Sequence, residues 1–177
     1  GARGATSRTS DFGWGEVHID GNEAFRWTEA EGMIGLGDLP GGDFYSYATA
    51  VSADGSTIVG RASVVGGTEG FVWTEAGGMR GLDDFDGGGR TSQAIAVSAD
   101  GTVVGGSGSS QRGGEAFLWT ELMGIRSLRG ILESAGVDLE GYQPLVITAI
   151  SADGGIVAGT ARNPDGQVEA FMAVVPE

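Results

Sequence analysis

The chain repeats itself, and that limits its fold more than any other feature. The segment Glu23-Ala-Phe-Arg-Trp-Thr-Glu-Ala30 returns as Glu69-Gly-Phe-Val-Trp-Thr-Glu-Ala76 and as Glu115-Ala-Phe-Leu-Trp-Thr-Glu121. A last copy, Glu169-Ala-Phe-Met-Ala-Val-Val175, lacks the tryptophan. Phe25, Phe71 and Phe117 stand 46 residues apart, and Phe171 follows after 54. A second motif keeps step with the first: Ala50-Val-Ser-Ala-Asp-Gly55, Ala96-Val-Ser-Ala-Asp-Gly101 and Ala149-Ile-Ser-Ala-Asp-Gly154. Each runs into a β-branched stretch ending in Gly60, Gly105 or Gly159, and Ala5 to Gly13 reads as a worn copy with Ser7-Arg8 in place of Asp-Gly. Repeats of this size are single supersecondary units that bury their apolar faces only against one another.

Within a unit the pattern is that of strands. Asp54-Gly55, Asp100-Gly101 and Asp153-Gly154 mark tight turns, because Asp bonds to nearby backbone and Gly accepts positive φ without a steric cost. Phe71-Val72-Trp73 alternates as the next strand, and Met79-Arg80-Gly81-Leu82 makes a short fourth one. The expected fold is all-β: a propeller-like array of about four four-stranded antiparallel blades. It forms one repeat domain over 1–177, with units near 1–46, 47–92, 93–145 and 146–177. The last sheet would be completed by the N-terminal segment or by another copy. Ile131, Leu132, Ala135 and Leu139 fall at helical spacing, which predicts one short helix near 129–141.

Composition excludes several classes of function. The formal net charge of −14 repels a phosphate backbone, so nucleic acid is not an expected partner. With no cysteine, disulfides and thiolate chemistry are excluded. No run approaches the roughly 20 apolar residues of a membrane helix, so this segment is not expected to insert in a membrane. Glycine accounts for 35 residues without a Gly-X-Y period, and it falls beside Trp, Phe and Val as turn glycine does.

Glu-Ala-Phe-x-Trp-Thr, the run Gly32 to Gly42 and Ala-Val-Ser-Ala-Asp-Gly together resemble the HAF family of bacterial extracellular repeats. The stretch Leu128 to Val175 looks like the closing segment of such proteins. The resemblance implies export to the exterior or the cell surface, and it supplies no catalytic residues. Val174-Val-Pro-Glu177 looks like the opening of an exosortase-type sorting signal.

Chemistry is thin in this sequence. His18 is the only histidine, and Asp20, two residues on, suits a local ion pair on an exposed strand better than a catalytic triad. Asp83, Asp84 and Asp86 match Asp38 and Asp43 of the preceding unit, which points to a turn role more than to the paired carboxylates of a glycosidase. Asp54, Asp100 and Asp153 supply too few oxygens for calcium, so no metal or cofactor is expected. Phe25, Trp27, Phe71, Trp73, Phe117, Trp119 and Phe171 are read as filling between blades. Trp14, Tyr45, Tyr47 and Tyr142 lie in less regular stretches and are the candidates for an exposed ligand platform.

The first reading of function is therefore a non-catalytic structural or interaction module, with other copies of itself as partners through open blade edges. Two alternatives stand beside it. One is a lectin-like module for surface polysaccharide. The other is a carboxylate hydrolase, which requires an acid that breaks the repeat pattern and has a raised pKa.

Overall fold

The computed structural model describes residues 2–7 in backbone and 21–176 in full. Its strands form four consecutive antiparallel sheets. The first holds β1 (Ala2–Ser7), β2 (Asn22–Thr28) and β3 (Gly32–Gly35). The second holds β4 (Ser46–Val51), β5 (Thr57–Val64), β6 (Gly67–Thr74) and β7 (Gly78–Gly81). The third holds β8 (Ser92–Val97), β9 (Val104–Ser110), β10 (Gly113–Thr120) and β11 (Gly124–Ser127). After α1 (Leu128–Ser134), the fourth holds β12 (Gln143–Ile150), β13 (Ile156–Arg162) and β14 (Val168–Val174). Every strand pairs with its neighbour in sequence, so each sheet is a meander. Four strands per sheet is the expected count; the first and last sheets each have three described strands. The described N-terminal strand, β1, lies in the first sheet beside β2.

Register explains the periodic phenylalanine. Phe71 lies opposite Gly60 on one side and Gly81 on the other. Phe117 lies opposite Gly106, and Phe171 opposite Gly159. A Cβ at Gly60 or Gly106 would run into the facing Phe ring and a carbonyl of the first strand of the sheet. The glycine that belongs to this series is Gly106 and not Gly105, as spacing alone had suggested. Gly105 instead faces the fourth sheet, where a Cβ would meet Ile147 and Ile150.

The two faces of the second sheet, and likewise of the third, enter different cores. Phe71 and Trp73 pack with Ile58, Ala62 and Val64 against Ala24, Leu36 and Leu39 of the first sheet. Val72, between them, packs with Val59 and Leu82 against Val104, Phe117 and Trp119 of the third. Ala116, Leu118 and Leu128 meet Ile147 and Val157 of the fourth, with Phe171 and Ala173 packed alongside. Burial on both faces of the second and third sheets follows because each is covered twice, whereas the first and fourth are covered on one face.

Backbone bonds tie the sheets at one rim. Ala53 N–H donates to the Ala99 carbonyl, and Ala99 N–H to that of Ala152, each at 3.0 Å. These are the alanines of the three Ser-Ala-Asp-Gly turns. Buried Ser46 Oγ accepts from Ala24 N (3.1 Å) and donates to the Gly37 carbonyl (2.7 Å). Ser92 makes the matching pair of bonds to Gly70 N and the Asp83 carbonyl.

The helix is shorter than its apolar spacing suggests. Gly136 adopts φ +83° and the chain turns there, leaving Asp138 to Gly141 outside the helix. Ser127 caps its start by accepting from Gly130 N at 3.2 Å.

Candidate functional site

Each repeated turn carboxylate is engaged locally through its Oδ1. Asp54 Oδ1 accepts from Ser52 Oγ (2.6 Å), Ser56 N (3.0 Å) and Ser56 Oγ (2.8 Å). Ser52 Oγ in turn accepts from Thr57 N at 3.0 Å, which closes the turn. The Ser52 hydroxyl and the Ser56 backbone hold the Asp54 carboxyl down at about 2. Asp100 and Asp153 repeat the arrangement with Ser98 and Ser151, and their values are lowered for the same reason. Gly55, Gly101 and Gly154 have φ near +77° in these turns. Among the described residues no group of three or more His, Asp or Glu could hold a metal ion.

The glutamate that opens each Glu-Ala-Phe motif has a role that sequence reading missed. Glu23 Oε1 accepts from Gly37 N (3.1 Å), Glu69 Oε1 from Asp83 N (2.9 Å) and Glu115 Oε1 from Ser127 Oγ (2.5 Å). Each caps the chain as it leaves the outermost strand. Burial pushes the Glu69 carboxyl up, aided by the charges of Asp84 and Asp83. Burial also raises Asp38, whose two oxygens accept from Leu39 N and Tyr45 N. Both raised acids sit at repeating positions. Asp43 and Asp86 are exposed.

The tryptophans divide by position in the stack. Trp73 and Trp119 are 8% and 7% exposed, whereas Trp27, on a face that no other sheet covers among the described residues, is 51% exposed. Each buried indole carries an arginine from the preceding sheet. Arg26 lies 5.6 Å from the Trp73 centroid and bonds Glu75; Arg80 lies 5.4 Å from that of Trp119 and bonds Glu121. A cavity of about 630 Å³ opens beside this second brace, lined by Thr74, Arg80, Asp100, Trp119 and Leu122. The signal was in the sequence: Trp-Thr-Glu puts a ring and a carboxylate on the same strand face, within reach of one arginine.

Two of the four platform candidates meet. Tyr45 OH accepts from Arg61 Nη2 at 3.3 Å, and Arg61 lies 5.9 Å from the centroid of the exposed Tyr47 ring. Tyr142 lies just before β12, where its hydroxyl reaches Glu169 of β14 at 3.5 Å. Trp14 lies outside the described residues, as do His18, Asp20 and the worn copy beyond Ser7. Arg61, which no motif singled out, lines a cavity of about 310 Å³ with Thr68, Ser92, Gln93, Ser107 and Leu145. It draws on the second, third and fourth sheets, and no carboxylate lines it. Arg61 Nε is buried without an acceptor among the described residues. The cavity offers cationic and hydroxyl donors; the exposed Tyr47 ring packs on Arg61 without lining it.

No protein-family model matches the chain, and no curated protein does. Solved structures do resemble it. The crystal structure of TolB from Acinetobacter baumannii aligns with a TM-score of 0.57 at 13% identity, over 87% of this chain and 35% of TolB. The chain thus spans about a third of that protein's length, and at this identity the likeness concerns the fold alone.

Proposed function

We propose that the four sheets are blades of a propeller-type arc, and that the protein is a non-catalytic structural or interaction repeat of the bacterial exterior or cell surface. TolB is a β-propeller-containing protein, and the meandering sheets with one bulged first strand each support the same architecture. The observation that carries the function is the use of the repeated polar side chains. The turn aspartates, Glu23, Glu69 and Glu115, and the Arg–Trp–Glu braces are all bonded within turns or joints. Both acids with raised values, Asp38 and Glu69, sit at repeating positions, which argues against an isolated catalytic acid. The resemblance to HAF repeats supports display outside the cell. Antibody labelling of intact against permeabilised cells tests this: signal only after permeabilisation would sink the surface assignment. Release of reducing ends from polysaccharide, abolished by one Asp or Glu change, would sink the non-catalytic one.

A second reading, a glycan-binding module, is favoured by the Arg61 cavity. An arginine lining a cavity that no carboxylate lines, with hydroxyls beside it, suits an acidic sugar, whose carboxylate takes the guanidinium. Calorimetric titration with glucuronate and glucose tests it. Saturable glucuronate binding that disappears in Arg61→Gln is the expected result, and equal heats for both sugars would end the reading.

A further inference from the structure

The exposed faces at the two ends of the stack are the two halves of a joint that the chain makes three times within itself. At each internal joint, an aliphatic face of one sheet meets the Phe face of the next. Val59 and Val72 meet Phe117 and Trp119; Ala116 and Leu118 meet Ile147 and Val157. The residue after each Phe points away from that sheet's own aromatic face, so Met172 is the counterpart of Val72 and Leu118. Those two are 8% and 4% exposed, whereas Met172 is 69% exposed. Beside it on the same face lie Val174, 65% exposed, and Ile156, 41% exposed, paired with one another across β13 and β14. At the other end, Trp27 is paired with Met33, and these are 51% and 54% exposed. Their counterparts Trp73 and Trp119 are covered by the sheet before them.

We infer that a second copy of this chain covers these faces, the fourth sheet of one copy stacking on the first sheet of the next. Trp27 and Met33 then pack against Met172, Val174 and Ile156. The inference rests on the interaction role proposed above and names its surface. Continuity selects a second copy over an unrelated partner: each exposed face already has its complement inside the same chain, at the same register. The contact is heterologous, so it generates a ring if the rotation closes and a filament if it does not. The joint also lacks a brace. Met172 stands where the first sheet has Arg26, leaving Glu29 beside Trp27 without an arginine from the neighbour. Association is therefore apolar, opposed by the like charge of two chains at −14 each, and rises as salt screens that repulsion.

The absence of cysteine makes a clean test possible. Met33→Cys and Met172→Cys chains are prepared separately, then oxidised mildly alone and as an equal mixture. The expected result is a disulfide-linked dimer in the mixture and none in either chain alone. In parallel, light scattering of the unsubstituted chain should give a mass that rises above 17.9 kDa with concentration and with salt. Met172→Glu should return it to 17.9 kDa with an unchanged circular dichroism spectrum, because Met172 is exposed in the single copy. If that variant unfolds, the cysteine pair decides. A mass fixed at 17.9 kDa with no mixed disulfide overturns the inference, and so does a disulfide dimer of either chain alone. Neither outcome bears on the labelling and reducing-end assays, so failure of the interface is distinguishable from failure of the function.

Discussion

The guanidinium of Arg80 lies 5.4 Å from the ring centroid of Trp119, one sheet away, and one of its nitrogens bonds Glu121 at 2.7 Å. Trp119 is buried while Arg80 and Glu121 are largely exposed, so the three contribute unequally. Exposed ion pairs add little, and the cation over the ring adds about 1 kcal/mol. Trp119→Ala is expected to cost about 3–5 kcal/mol by urea denaturation. Arg80→Ala should cost about 1 kcal/mol, and Glu121→Gln should leave the midpoint unmoved. If Glu121→Gln costs as much as Arg80→Ala, the carboxylate holds the joint and the ring does not.

Gly106 and Gly114 provide a contrast within one sheet. A Cβ at Gly106 would meet the Gln93 carbonyl and the Phe117 ring, whereas at Gly114 it would meet nothing within 4 Å. Neither glycine has positive φ. Gly106→Ala is expected to cost about 2 kcal/mol or more through overpacking. Gly114→Ala should be neutral or gain about 0.5 kcal/mol, by restricting the unfolded chain. Equal midpoints for the two variants would mean that the glycine facing Phe is not required by space.

Sequence reading reached the strands and turns because their signals are local. Asp100-Gly101 needs only its own neighbours to turn, and Phe117 and Trp119 declare one strand face by alternation. It misplaced Gly105 for Gly106 because which of two adjacent glycines faces the ring depends on register, a property of two strands together. It extended the helix to Gly141 because apolar spacing continues past Gly136, while the left-handed φ at Gly136 ends the helix. Arg61 stayed hidden for a different reason. Its cavity is lined from β5, β6, β8, β9, β10 and β12, and no motif in one segment encodes a meeting of three sheets. The capping glutamates were visible but unread, since their partners lie 12 to 14 residues away, at or just past the end of the outermost strand.

Ser46 and Ser92 join adjacent sheets through a hydroxyl that both accepts and donates. Each is buried, and removing it leaves a backbone N–H, of Ala24 or Gly70, without its acceptor. Ser46→Ala and Ser92→Ala are each expected to cost about 1–3 kcal/mol. Pro144 occupies the matching place in the fourth sheet, opposite Ala161 as Ser46 is opposite Ala62, and it has no hydroxyl. Amide exchange should therefore show Ala24 and Gly70 losing protection in the respective variants. Protection unchanged at both amides would remove the serines from the list of joint-forming residues.

Acid should first stabilise the protein and then unfold it. Burial raises Asp38 and Glu69 above their ordinary 3.8 and 4.5, so their ionisation weighs against the folded state at neutral pH. That burden lifts as pH falls through the raised values, and the repulsion within a chain of net charge −14 falls with it. Asp54, Asp100 and Asp153 act in the opposite sense. Serine hydroxyls lower them, so their stabilisation is complete above the ordinary 3.8 and is lost as pH falls below it, for Asp54 through about 2. The melting temperature is expected to rise as pH falls from neutral and to drop steeply once pH passes below the ordinary Asp value of 3.8. Replacing Ser52, Ser98 and Ser151 together by Ala should flatten the low-pH limb while leaving the rise from neutral pH intact. A melting temperature that falls steadily from pH 7, or an acid limb indifferent to the three serines, would mean that other carboxylates govern acid unfolding.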